Sequence, residues 1–153
     1  MNKIEITPYE MACRFKGIKE KAGEEHNAQI LAILQRAQGW VEEDEVAWCS
    51  AFIGYVCFLL GLPETKHLRA RTWLRMGRPV SRWEAERGFD VCIFNRADGP
   101  MDPSIINAPG HVGFLHRITS RGIYILGGNQ SNSVNIISIS AKRLLGIRRL
   151  GDE

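Results

Sequence analysis

The chain has 153 residues, of which 44% are hydrophobic and 24% charged, and its formal net charge is +3. This composition excludes a disordered protein and predicts a single domain over residues 1–153 with an ordinary hydrophobic core. The charge favours an anionic partner, but it is too small to identify one by itself.

The N-terminal stretch MNKIEITPYE lacks the apolar segment of a secretory signal peptide. No part of the sequence reaches the ~18 consecutive apolar residues that a membrane-spanning helix needs. We therefore expect a protein that is made in the cytoplasm and does not insert stably into a membrane. Any work outside the cell would need another factor to carry it there.

The first half of the chain predicts four helices, over residues 8–20, 27–38, 49–60 and 66–76. Thr7 is the expected N-cap of the first helix, and Glu10 completes a capping box. The third helix contains the longest apolar run of the chain and ends at Gly61. Thr65 is the expected cap of the fourth.

The second half contains β-rich segments set off by Gly, Pro, Asn and Ser, at residues 90–94, 111–118, 123–127 and 134–139, with a short last one near 147–150. Helices followed by strands are typical of an α+β domain with an antiparallel sheet. The sequence shows no internal repeat, linker or low-complexity tract.

The four cysteines favour neither disulfides nor a metal site. Cys49 and Cys57 share the predicted third helix, about 12 Å apart along its axis at ~1.5 Å per residue. That separation exceeds the ~7 Å Cα limit for a disulfide. No CxxC or HxxxH spacing indicates zinc. We expect Cys13, Cys57 and Cys92, which lie in apolar surroundings, to be core residues.

Cys49 differs from the other cysteines because it lies where a helix begins. A thiol in the first turn is close to unpaired N–H groups and to the positive end of the helix dipole, which can lower a cysteine pKa from ~8.5 to about 3.5–7.5. The same N–H groups can stabilise an oxyanion. Cys49 is therefore a candidate nucleophile, and simple packing is the alternative.

His111 is the candidate base, because it opens a predicted strand after a Gly/Pro loop. Alternation along the strand defines two faces, one with His111, Gly113 and Leu115 and the other with Val112, Phe114 and His116. Gly113 would leave room beside His111 for a substrate or for the cysteine helix. His116 is the competing base, but its position in mid-strand favours a structural role.

A third polar group commonly holds the imidazole of a Cys–His pair in the reactive tautomer. Asn129 is the first candidate, since it directly follows a strand and two glycines, and Gln130 is the second. The alternative is an ordinary Gly-Gly-Asn turn without a role in chemistry.

Three motifs, DEVAWCSAF, HVGFL and ILGGNQSNSVNI, together resemble the small papain-like cell-wall peptidases of phage lysins. These are related to CHAP (cysteine, histidine-dependent amidohydrolase/peptidase) and NlpC-type domains. The resemblance extends more loosely over about residues 5–150. One difference is GFDVCIF, where Phe89 separates a Gly and an Asp that the family usually has next to each other.

The resemblance implies a papain-like fold in which N-terminal helices pack on an antiparallel sheet. It implies a catalytic set of Cys49 as nucleophile, His111 as base and Asn129 as the orienting residue. Four further residues of the motifs are candidate substrate-binding residues, namely Trp48, Asp44, Glu45 and Gln130. The acidic pair has an alternative role in capping the helix.

The resemblance also implies hydrolysis of an amide bond in or next to the stem peptide of peptidoglycan, with no metal or organic cofactor and with action on the bacterial cell wall. A phage endolysin released through a holin and an injected antibacterial effector with an immunity partner both fit. A non-catalytic wall-binding module is a further alternative. We expect no nucleic-acid binding, because no aromatic stacking motif accompanies the five arginines on which it would depend. We expect these arginines on a solvated helix face, namely Arg69, Arg71, Arg75, Arg78 and Arg82.

Overall fold

The computed structural model describes residues 5–20, 27–37, 48–96 and 98–152. Within these residues the α-helices are α1 Pro8–Cys13, α2 Ala28–Ala37 and α3 Cys49–Leu59. The strands are β1 Arg78–Val80, β2 Asp90–Asn95, β3 Gly110–Thr119, β4 Gly122–Gln130, β5 Ser133–Ile139 and β6 Leu144–Arg149. Two short 3-10 segments cover Ala70–Arg75 and Ala141–Arg143.

The strands form one sheet in the order β1-β6-β2-β3-β4-β5, and all neighbouring strands are antiparallel. Helix α3 packs across β3 and β4, and α1 and α2 pack against α3. The predicted α+β domain, with N-terminal helices packed on an antiparallel sheet, is confirmed. None of the helices in the described ranges has the length and apolar character to cross a membrane.

The sheet has apolar residues on both faces. The face toward the helices includes Val112, Phe114 and Leu126, and the opposite face includes Leu115 and Ile125. Helix α3 lies between the sheet and the other helices, which explains its uniformly apolar composition. The alternation predicted for β3 from the sequence therefore matches the packing.

The space beside Gly113 is not left for a substrate or for the cysteine helix. A Cβ at Gly113 would lie 2.7 Å from Cδ1 of Ile125 on the neighbouring strand. The glycine thus accommodates a core side chain of β4, which corrects the sequence-based expectation.

The first helix is shorter than predicted. It has the expected capping box of Thr7 and Glu10, but it ends at Cys13 instead of continuing to residue 20. Gly17 has a φ of +93°, a left-handed conformation that a helix cannot contain. The chain then extends along β5, where Val134 N–H donates to the carbonyl oxygen of Ile18 at 2.8 Å.

The predicted fourth helix is reduced to the 3-10 segment Ala70–Arg75. Lys66 has a φ of +56°, so the chain cannot be helical where the sequence suggested a start. Thr65 accepts a hydrogen bond from the N–H of His67 at 3.1 Å within the preceding turn. The edge strand β1, which contains Pro79, was not predicted.

The turn before β2 contains Phe89, at which the sequence departs from the motif family. Asp90 is fully buried, and its carboxylate accepts hydrogen bonds from Nε and Nη2 of Arg149 at 2.7 and 2.9 Å. The carbonyl oxygen of Phe89 accepts from the N–H of Leu150 at 3.0 Å. Phe89 therefore belongs to an ordered turn that joins β2 to the end of β6.

Arg71 is fully buried, which corrects its expected place on a solvated face; the other four arginines of that set are exposed. Its guanidinium donates to Oδ1 of Asn95 and to the main-chain oxygens of Pro100, Asp102, Ile105 and Pro109, at 2.8–3.3 Å. Four of the five acceptors lie in the loop between β2 and β3. Arg71 therefore fixes that loop against the 3-10 segment.

Replacing Arg71 by Gln should lower the free energy of unfolding by about 3 kcal/mol or more, because several buried acceptors lose their donor. The matched variant is Arg75→Gln, at an exposed position of the same segment, where we expect a change within about 0.5 kcal/mol. Urea denaturation of both variants measures the difference. Equal stability of the two would contradict the structural role of Arg71.

Candidate active site

The start of α3 is held close to β4 by Trp48 and Gly128. Trp48 precedes the helix and is fully buried. A Cβ at Gly128 would lie 2.4 Å from Cζ3 of its indole ring, so only glycine lets the two elements come this close. This contact places Cys49, the first residue of α3, beside the start of β3.

Cys49, His111 and Gln130 lie side by side and interact in that order. The imidazole of His111 acts on the Cys49 thiol through hydrogen bonding and charge, which shift the pKa values of both groups. Nε2 of the same ring lies 2.9 Å from Oε1 of Gln130. All three side chains are buried, with exposed fractions of 2%, 6% and 2%.

A bulge in β4 places Gln130, and not Asn129, against His111. Gly127 pairs with Asn135 and Gln130 with Ser133, so β4 has one more residue than β5 between these pairs. Asn129 takes a left-handed φ of +58° in the bulge. Because of the extra residue, Gln130 occupies the sheet face that simple alternation would have given to Asn129.

The amide of Gln130 is oriented by Asn135, a residue that the sequence analysis did not single out. Nε2 of Gln130 donates to the main-chain oxygen of Asn135 at 2.7 Å and to its Oδ1 at 3.0 Å. Nδ2 of Asn135 donates to the main-chain oxygen of Gln130 at 3.0 Å. The feature of the sequence that could have pointed to Asn135 is its place as a polar residue inside the strand segment VNIISI.

These hydrogen bonds define the tautomer of His111. A carbonyl oxygen can only accept, so the Gln130 atom that faces it is the NH2 group, and Oε1 faces the imidazole. Nε2 of His111 therefore carries a proton. Nδ1 is left as the nitrogen that can take the proton of the Cys49 thiol.

The surroundings of Cys49 favour the thiolate. Burial alone would raise its pKa, but hydrogen bonding and charge from His111, together with the N–H groups of Val112 and Ser50, bring the pKa below the usual value. In contrast, burial and the charge of Asp90 raise the pKa of Cys92. The acidic thiol is thus the one beside the imidazole.

The pKa of His111 is shifted in the opposite direction, above its usual value. Burial opposes its charged form, but the hydrogen bonds to Cys49 and Gln130 and the charge of the thiolate raise its pKa above the usual value, against a smaller repulsion from Arg96. The lowered thiol pKa and the raised histidine pKa both shift the pair toward thiolate and imidazolium.

Cys49 lines a cavity of about 280 Å³ at the surface. The other lining residues come from the first residue of the 3-10 segment and the two residues before it, from the loop between β2 and β3, and from the first residue of β3, namely Leu68, Arg69, Ala70, Arg96, Asn107, Ala108, Pro109 and Gly110. The thiol, although almost fully buried, thus faces a space that a peptide group can enter.

The remaining predicted residues lie elsewhere or act indirectly. Trp48 is buried behind Cys49, so it positions the helix and has no exposed surface for a substrate. Asp44 and Glu45 lie outside the described residues. His116 is hydrogen-bonded to the hydroxyl of Tyr9 on α1 and not to Cys49.

No disulfide joins any of the four cysteines, all of which are described. Among the described residues, no group of three or more His, Cys, Asp or Glu side chains has the arrangement of a metal site. No model of a known protein family matches the chain, and no curated protein is similar enough to count as a relative.

The lowered pKa of Cys49 predicts that its thiolate forms below the usual pH range of a cysteine. In His111→Ala the titration should move to higher pH, because burial remains and the stabilising ring is gone. The thiolate absorbance of each protein, minus that of its Cys49→Ala counterpart, measures this. His67→Ala, at an exposed position, is the control and should not shift the titration.

The bulge predicts that the Gln130 amide, and not that of Asn129, orients His111. Gln130→Ala should slow the alkylation of Cys49 by iodoacetamide, since His111 loses the acceptor that holds its ring. Asn129→Gly keeps the left-handed backbone, removes the Asn129 amide and should leave the alkylation rate nearly unchanged. The alkylation rates of both variants distinguish the two residues. A large loss of rate in Asn129→Gly alone would assign the role to Asn129.

Proposed function

We propose that this protein is a papain-like cysteine hydrolase that cleaves an amide bond in or next to the stem peptide of peptidoglycan. The observation that carries the chemistry is the grouping of Cys49, His111 and Gln130 at the start of a helix and beside an open cavity, with His111 held by Gln130 and acting on the Cys49 thiol. The substrate class is supported by the resemblance of three motifs to the cell-wall peptidases of phage lysins.

In the first half of the reaction, the Cys49 thiolate attacks the carbonyl carbon of the scissile amide, and a C–S bond forms. The oxyanion accepts a hydrogen bond from the N–H of Cys49, which has no intrahelical acceptor at the first position of α3. The imidazolium of His111 then gives its Nδ1 proton to the leaving nitrogen, the C–N bond breaks, and the amine departs.

In the second half, the neutral His111 ring takes a proton from a water molecule, which attacks the thioester carbonyl. The C–S bond breaks and the acid product leaves, so that the thiolate–imidazolium pair is regenerated. Gln130 holds the ring in one tautomer through both halves, because its Oε1 faces Nε2 throughout. The reaction uses water as its one co-substrate and needs no cofactor.

The proposed place of action is the bacterial cell wall, and the proposed partner is peptidoglycan. A phage endolysin released through a holin is the favoured biological setting because of the motif resemblance. A secreted antibacterial amidase effector would use the same site and would have an immunity protein. A non-catalytic wall-binding module would keep the fold without using the thiolate.

Digestion of purified peptidoglycan tests the proposal, with the released muropeptides identified by mass spectrometry. Wild type should release defined products, and Cys49→Ala should lower the rate by at least about 10⁴-fold, because it removes the nucleophile. The bond that is cut follows from the masses of the products.

Cys13→Ala, which changes a half-buried cysteine away from the cavity, is the matched control and should retain activity. Equal product release by wild type and Cys49→Ala would contradict a thiolate mechanism. A folded wild type that pellets with the wall and releases nothing would identify a binding module instead.

A further inference from the structure

Two arginines stand at the cavity that Cys49 lines. Arg69 precedes the 3-10 segment and Arg96 follows β2, and both are exposed side chains that line this cavity. The rest of the described lining is apolar or neutral. The charged side chains of the described lining are therefore both cationic.

The two arginines differ from the nearby Arg71. Arg71 has five acceptors from the protein itself. Neither Arg69 nor Arg96 forms an ion pair with a residue in the described ranges, and no acidic residue lines the cavity there. Their guanidinium groups are thus available to an anion that enters from solvent.

Arg96 is also close enough to act on the reactive pair, because its charge opposes protonation of His111. A cation beside an imidazolium is unfavourable in the free protein. An anion bound at Arg96 would screen this repulsion and favour the thiolate–imidazolium state. The arrangement therefore suits a substrate that carries its own negative charge.

We propose that Arg69 and Arg96 bind a carboxylate of the substrate next to the scissile amide, which makes the site specific for acidic peptides. Guanidinium groups bind carboxylates through paired, charge-assisted hydrogen bonds. This inference rests on the proposed amide hydrolysis and specifies which peptides the site hydrolyses. Stem peptides with free carboxylates are substrates, and the same peptides with primary amides at those positions are poor ones.

The test compares two synthetic stem peptides that differ only in carboxylate against primary amide. Wild type should hydrolyse the acidic peptide with a kcat/KM at least about 10-fold higher, mainly through a lower KM. Arg69→Gln and Arg96→Gln should each reduce this preference. Arg121→Gln removes the same charge at the turn between β3 and β4, outside the cavity, and should keep the preference.

Binding of both peptides to Cys49→Ala, measured by calorimetry, separates recognition from catalysis. Tighter binding of the acidic peptide to Cys49→Ala, and loss of this preference in Cys49→Ala/Arg96→Gln, would support carboxylate recognition. This holds even if wild type hydrolyses neither peptide, because inactivity would reject only the proposed hydrolase function. Equal binding and equal hydrolysis of the two peptides would overturn carboxylate recognition while the hydrolase stands.

Discussion

The close approach of α3 to β4 determines where the reactive groups of this protein lie. Trp48 and Gly128 meet so tightly that a Cβ at the glycine would lie 2.4 Å from the indole. Gly127 leaves space for Gln130 in the same way, since a Cβ at Gly127 would lie 2.8 Å from Oε1 of Gln130. The two glycines therefore make room for the helix that bears Cys49 and for the Gln130 side chain that orients His111.

The electrostatics of the site depend on that geometry. Burial disfavours both charged forms, and the pKa values shift toward thiolate and imidazolium only because each group faces the other and further donors or acceptors. The loop between β2 and β3 forms one wall of the cavity and is held by the buried guanidinium of Arg71. The β2–β3 loop and α3 thus leave a small open space beside the Cys49 thiol, which is otherwise enclosed.

Much of the fold follows from the sequence, because α3 is apolar throughout and the strands alternate. Cys49 could be chosen as a candidate from its place at a helix start, and His111 from its place at a strand start. Asn129 could not be told from Gln130, because one bulged residue in β4 exchanges their faces. The burial of Arg71 could not be predicted either, since four of its five acceptors are main-chain oxygens that carry no sequence signature.

The activation of the Cys49 thiol by His111 is tested most directly by the order in which the cysteines react with iodoacetamide at neutral pH. Peptide mapping measures this order. Exposure alone would make the half-buried Cys13 react before the almost fully buried Cys49. Activation by His111 predicts the reverse, because the thiolate is the reacting form and Cys49 faces the cavity. Alkylation of Cys49 first, with that order lost in His111→Ala, is the expected result. Alkylation of Cys13 first in wild type would contradict an activated thiol.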